Sequence, residues 1–181
     1  RSERATSRRA FTYTATTNPA SPRFDRLDRQ VYGDDPLTPV TYVYLQPTPG
    51  EEPGSTVKVC LKDPAGNVAE AFFDFGNRLV TMKQYTGRAP NLTIPTDATT
   101  NRPITPLRPT TDPAFFRTHV TFNSESLITG ISFPRLDSAS LTYDSSGFDV
   151  KQHANLLQLV QSAGPAGADQ PSITESWTYD T

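Results

Sequence analysis

The sequence predicts an all-β chain of antiparallel hairpin repeats. Pro accounts for 17 of the 181 residues and hydrophobic types for only 35%, which leaves little scope for long amphipathic helices. Short runs of branched and aromatic side chains, alternating with polar ones, are punctuated by Gly, Pro, Asn and Asp. The clearest unit is residues 63–84, which reads as a turn, a strand, a turn and a second strand. In Asp63-Pro64-Ala65-Gly66, Pro64 presets φ, Gly66 permits a positive φ, and the Asp63 side chain can bond the backbone ahead of it. Residues 68–73 make the first strand. Asp74-Phe75-Gly76-Asn77 then reverses the chain into residues 78–84, where Leu79, Thr81 and Lys83 alternate with Val80, Met82 and Gln84. Neither face of this ribbon is wholly polar, and a lone hairpin is marginal in water, so the unit must be covered by copies of itself.

These residues carry a resemblance. The stretch resembles the tyrosine-aspartate repeat of Rhs-type proteins, toxin-complex cocoon proteins and teneurins. That pattern runs Asp-x-x-Gly-Asn, then a strand ending Tyr-x-Tyr-Asp, then two residues and Gly-Arg-Leu. Asp63, Gly66 and Asn67 match its first part; Asp74, Arg78 and Leu79 match its second. Ala71 and Phe73 stand where the pattern has its tyrosines, and Asn77 stands where it has Gly. Asn is the non-glycine residue that best tolerates the left-handed region, so that exchange preserves the turn. The resemblance implies one segment of a spiralling β-sheet shell, with its partners the adjacent repeats of the same longer chain. In Rhs-type proteins such a shell encloses a toxic C-terminal domain or other cargo polypeptide; in teneurins it is an extracellular adhesion scaffold that meets a cell-surface receptor. Either implies a secreted or cell-surface protein.

Taken in order, residues 1–9 hold four arginines and no apolar run, and read as a flexible lead-in. Phe11-Thr12-Tyr13 is the first aromatic strand, with Thr14 in the place of the Asp. The segment Phe24-Asp25-Arg26-Leu27-Asp28-Arg29 echoes the second half of the unit, with Asp28 read in the place of Gly. A strand over 30–32, a turn at Gly33-Asp34-Asp35-Pro36, a Tyr-x-Tyr strand over 40–44 and a Pro/Gly loop over 47–54 follow. Residues 57–61 alternate as the strand leading into the central unit. Residues 87–113, with six prolines and many threonines, read as an irregular, exposed insertion; Asn91-Leu92-Thr93 within it has the spacing of a glycosylation acceptor. Strands over 118–123 and 126–133 form a hairpin turned at Asn123-Ser124-Glu125, with Gly130 marking a bulge. Leu141-Thr142-Tyr143-Asp144, followed by Gly147, again echoes the second half of the unit. A strand over 155–161 precedes a Gly/Ala/Pro loop, and residues 173–180 end on Trp177-Thr178-Tyr179-Asp180, the fullest Tyr-x-Tyr-Asp equivalent. The end inside an apparent strand points to a piece of a longer chain. Phe73, Tyr143, Trp177 and Tyr179 are expected in packed or inter-strand positions.

Several function classes lose support. The formal net charge of −2 lacks the basic surplus of nucleic-acid or anionic-membrane binding, and no apolar run approaches the length of a membrane span. Cys60 is the single cysteine, excluding an internal disulfide; at an alternating strand position it reads as a buried small hydrophobe. His119 and His153 are the only histidine bases and read as polar strand and surface residues. There is no Gly-x-Ser-x-Gly elbow or phosphate loop, and Asp34-Asp35, Asp63 and Asp74 sit among turn signals rather than in a calcium loop. No catalytic, cofactor or metal residue is assigned, and the chain is read as a non-enzyme.

Overall fold

The computed structural model describes residues 9–32, 39–89, 96–97, 99–144, 153–167 and 169–179. Among them the chain is all-β, with eleven antiparallel strands in one sheet in sequence order and a single short 3-10 turn at Pro165–Gly167. The strands are β1 (Arg9–Tyr13), β2 (Leu27–Tyr32), β3 (Val40–Leu45), β4 (Val57–Lys62), β5 (Asn67–Phe73), β6 (Leu79–Arg88), β7 (Phe115–Phe122), β8 (Ile128–Ser132), β9 (Ser138–Tyr143), β10 (Leu156–Ser162) and β11 (Ile173–Ser176). The residues form two compact units, Arg1–Phe116 and Arg117–Thr181.

Four short reversals share one closure. At Asp63–Asn67, Asp74–Arg78, Asn123–Leu127 and Phe133–Asp137 the first residue's N–H donates to the fifth residue's carbonyl. The fourth residue's N–H returns a bond to the first residue's carbonyl. That fourth residue always has positive φ: 82° at Gly66, 57° at Asn77, 67° at Ser126 and 68° at Leu136. A type I turn followed by a left-handed residue carries the chain round with the twist an antiparallel pair needs. Longer loops close in the same way. Asp144 N–H donates to Asn155, Ala154 donates back to Asp144, and Ala154 has φ 65°. Thr14 N–H donates to Arg26, next to Asp25 at φ 50°.

In the first unit, β4, β5 and β6 make the best-packed part. Cys60 pairs with Glu70 and Lys58 with Phe72 across β4 and β5; Glu70 pairs with Lys83 and Phe72 with Thr81 across β5 and β6. Partners in register share a face, so Lys58, Cys60, Glu70, Phe72, Thr81 and Lys83 lie together, and all six are buried. In the second unit, β8 to β10 pair through Ile131–Ala139 and Leu159–Leu141. The apolar residues of those strands are half-buried, and the buried hydrophobic side chains among the described residues, Cys60, Val68, Phe72 and Ala89, all belong to the first unit.

Several expectations change. Asp28 lies inside β2, and the positive φ belongs to Asp25, because the turn must close before the strand's first ladder bond. The ladder carries β6 on to Arg88, so Gly87 belongs to a strand and the insertion starts after it. Its described residues are not uniformly exposed: Ala89 and Thr100 are buried, and Thr96 bridges Pro103. Trp177 and Tyr179 are not packed. β11 ends at Ser176 and is exposed along its length; the Trp177 N–H still donates to the Leu157 carbonyl of β10, but Trp177 and Tyr179 are 37% and 47% accessible. The Tyr179 hydroxyl donates to the Leu156 carbonyl. Phe73 and Tyr143 do occupy inter-strand positions, opposite Val57 and Leu156. The hairpin at Phe133–Asp137 escapes sequence reading because Leu136 sits where Gly or Asn would announce a turn. Opposite Thr121–Phe122 the register skips Thr129, a bulge beside Gly130. The lead-in to Arg8, the turn at 33–36, Asn91, Gly147 and Asp180 lie outside the described residues.

The shared closure predicts opposite effects of two substitutions. In Gly66→Ala the new Cβ would lie 1.9 Å from the Ala89 carbonyl oxygen at φ +82°, so the loss should exceed the ~1–2 kcal/mol of left-handed strain alone. Leu136→Gly removes that strain but adds about 0.5–1 kcal/mol of unfolded-chain freedom, leaving a net gain of about 0.5–1 kcal/mol. Urea unfolding should show a lower midpoint for the first and a higher one for the second.

Candidate functional site

The motif residues act first on the backbone. Asp63 Oδ1 accepts the Asn67 N–H at 2.9 Å, and Asp63 Oδ2 accepts the Asn67 side-chain amide at 2.7 Å. Asp74 Oδ1 accepts the N–H groups of Gly76 at 2.8 Å and Arg78 at 3.0 Å. Its Oδ2 receives the Arg78 guanidinium through Nε at 2.8 Å and the terminal nitrogen at 2.7 Å. The Arg78 guanidinium, then burial working against it, sets the Asp74 carboxyl; the result lies below its ordinary value. Asn123 Oδ1 repeats the arrangement on Glu125 and Leu127. An Asx side chain at the first position thus caps the fifth residue's N–H while Arg78, in the matching place, neutralises the carboxylate. Leu79 starts β6, 38% accessible and paired with Phe73. Asp144 opens the turn after Tyr143.

The strands of the first unit place chemistry of opposite kinds on two faces. One carries Tyr42, Tyr44, Val59, Leu61, Ala71 and Met82 around an open concavity of about 350 Å³, with Arg26 and Asn77 also lining it. These apolar side chains are half-buried. Burial, and then Tyr32, raise the Tyr42 hydroxyl; burial also raises that of Tyr44, against the opposing pull of Arg26, whose guanidinium lies 5.9 Å from the ring. Tyr42 donates to Gln30 at 3.2 Å.

The other face is ionic and buried. The loop after β3 lays Glu51 and Glu52 onto it. Lys58 Nζ reaches Glu51 at 2.9 Å and Glu70 at 3.9 Å, while Lys83 Nζ reaches Glu52 at 2.9 Å. Arg102 comes from the insertion to within 3.2 Å of Glu51 and 3.4 Å of Glu70. The Tyr85 hydroxyl donates to Glu70 at 2.8 Å, Thr81 donates to Glu52 at 3.1 Å, and the Cys60 thiol lies 3.7 Å from Glu70. Lys83 lies 4.8 Å from the Phe72 centroid and 5.0 Å from that of Phe115, and Lys58 lies 5.9 Å from Phe72. Three carboxylates meet three cations, so the cluster is balanced.

The environment sets the ionisation. Burial alone would raise the Glu51 carboxyl, but hydrogen bonds from Lys58 and Thr48 outweigh it and hold the group at about 2. Burial, and then Glu70, push the Cys60 thiol up to about 12, which makes it an inert thiol rather than a nucleophile. The same two causes raise the Tyr85 hydroxyl. His119 lies half-buried in β7 with Arg117 at 3.3 Å, and His153 meets Glu125 at 2.5 Å.

Sequence reading singled out none of Glu51, Glu52, Glu70, Tyr85 and Arg102. Charged residues at alternate strand positions, such as Lys58, Glu70 and Lys83, carry no sign of burial by themselves. The overlooked signal is that Phe72 and Cys60 share their parity. No protein-family model matches this chain, and no curated protein matches it.

Two outcomes follow from the ionic face. Glu70→Gln keeps the shape but leaves Lys58 and Arg102 short of a buried counter-charge, so unfolding should be easier by about 3–5 kcal/mol, measured by chemical denaturation. Glu51 is depressed from its ordinary 4.5 to about 2, so its stabilisation is fully present above the unfolded value and lost as pH falls through that interval. The melting temperature should therefore fall between pH 4.5 and 2, and Glu51→Gln should flatten that limb of the profile.

Proposed function

We propose that this chain is a segment of a β-shell of the tyrosine-aspartate repeat type, walling a volume that holds a toxin or other cargo polypeptide in a secreted or cell-surface protein. The observation that carries the reading is the half-exposed apolar face. Hairpins follow one another in sequence order, yet the buried hydrophobic side chains are only Cys60, Val68, Phe72 and Ala89 among the described residues. A globular domain of this length would bury most of its apolar side chains. A wall of hairpins covers that surface with further repeats or with what it encloses. The recurring Asx-capped closure with Arg78 on Asp74 supports the repeat reading, because it gives a physical role to the aspartate and arginine of the motif. In this reading the chain performs no catalysis, and function lies in the enclosed volume.

The test is electron microscopy of the complete natural gene product, paired with limited proteolysis. A hollow shell, with a protected polypeptide released only on unfolding, is expected. A solid globular particle would overturn the reading, and a shell with no protected polypeptide that binds cells through its outer surface would replace encapsulation with adhesion. The 181 residues alone should bind an apolar-surface dye and self-associate in sedimentation; a monodisperse monomer that binds no dye would count against an open apolar wall.

A further inference from the structure

We infer that Glu51, Glu70 and Tyr85 form a guanidinium-binding site on the ionic face of the first unit, filled by Arg102 of the same chain. The site does not depend on the shell reading. Its floor is Glu70, whose side chain is wholly inaccessible, and its wall is Glu51, 11% accessible. The strands and the loop after β3 supply only Lys58 and Lys83 against three carboxylates. Lys83 is engaged by Glu52 at 2.9 Å and Lys58 by Glu51 at 2.9 Å, while Lys58 stays 3.9 Å from Glu70. The closest cation to Glu70 is Arg102, at 3.4 Å, which arrives from 32 positions along the chain. Without it the face would keep an excess of buried negative charge.

The geometry selects a guanidinium over an ammonium. One terminal nitrogen of Arg102 lies within reach of carboxylates from two separate elements, at 3.2 and 3.4 Å. The Tyr85 oxygen bonds the far oxygen of Glu70 at 2.8 Å, fixing that carboxylate's plane. The ammonium already at the site, that of Lys58, closes on Glu51 at 2.9 Å and stays 3.9 Å from Glu70, whereas the more weakly hydrated guanidinium of Arg102 brings one nitrogen within hydrogen-bonding distance of both carboxylates. Burial works against the Arg102 charge, but Glu70, Tyr85 and Glu51 more than offset it and raise its pKa. An open cleft of about 690 Å³ runs beside the site, lined by Glu51, Lys83, Tyr85, Asp97, Arg102 and Phe115 among others, so a small cation from solvent can enter once the side chain is removed. The site thus fixes residues 99–103 against the sheet, and its ligand class is the guanidinium group of an arginine side chain.

Chemical rescue tests this. Arg102→Ala in the full 181-residue chain should melt at a lower temperature. Millimolar ethylguanidinium, far below denaturing concentration, should restore much of that loss with saturation, while ethylammonium at equal ionic strength should not. The unsubstituted chain should respond to neither. If Arg102→Ala does not stay folded, the yield of folded protein on refolding with each cation gives the same comparison. Equal response to the two cations, no response to ethylguanidinium, or an unchanged melting temperature in Arg102→Ala would overturn the assignment.

Discussion

A left-handed residue closing the short reversals is the constraint on which the pairing of those hairpins depends. Antiparallel strands that pair with their sequence neighbours need turns whose twist matches the sheet, and one residue of positive φ supplies it. Gly66, Asn77, Ser126, Leu136 and Ala154 all take that conformation, although only one of them is glycine. Where the first residue is Asp or Asn its side chain caps the turn, and Phe133 shows that the backbone closure forms without that help. The closure is indifferent to the length of the loop between its ends. Asp144 and Asn155 close as Asp74 and Arg78 do, so a hairpin can gain residues without losing register.

The sheet of the first unit then inverts the usual division of labour between faces. Its ionic cluster is buried together with Cys60, Val68 and Phe72, while the apolar side chains of the opposite face stay half open. Burying ions is costly unless every charge is paired, and Glu51, Glu52 and Glu70 find Lys58, Lys83 and Arg102 within hydrogen-bonding or ion-pairing distance. The lysine stems and the Phe72 ring share that face, so the cluster is apolar between its charged ends. Such a face holds loops and an insertion in fixed places by charge geometry. The opposite face is left with an apolar surface that invites further cover, which is why the shell reading rests there.

Much of the fold was legible in local chemistry. Alternation placed ten of the strands to within a few residues, and Asp-Pro-Ala-Gly and Asp-Phe-Gly-Asn announced their turns because Pro, Gly and Asn restrict or release φ. Of the aromatics read as strand ends, Tyr13, Phe73, Phe122 and Tyr143 close β1, β5, β7 and β9, whereas β3 runs one residue past Tyr44 and Tyr179 lies beyond the end of β11. Reading failed where the residue type concealed the backbone state: Leu136 and Ala154 at positive φ carry no turn signal, and Asp28 looked like a turn residue while Asp25 was one.

The sequence by itself determined the all-β class, the hairpin order and the capped turns, because these depend on φ preferences and on hydrogen bonds spanning a few residues. Which face became the interior was decided by tertiary structure alone. Period-two patterning sorts residues between two faces without naming the one that will be covered, and the cover here comes from Glu51, Glu52 and Arg102, up to 51 positions from their partners. Trp177 and Tyr179 were lost to the same limit: an aromatic motif marks where a strand can be, but burial requires a neighbouring layer, and both side chains stay more than a third accessible although the Trp177 N–H still donates to the Leu157 carbonyl.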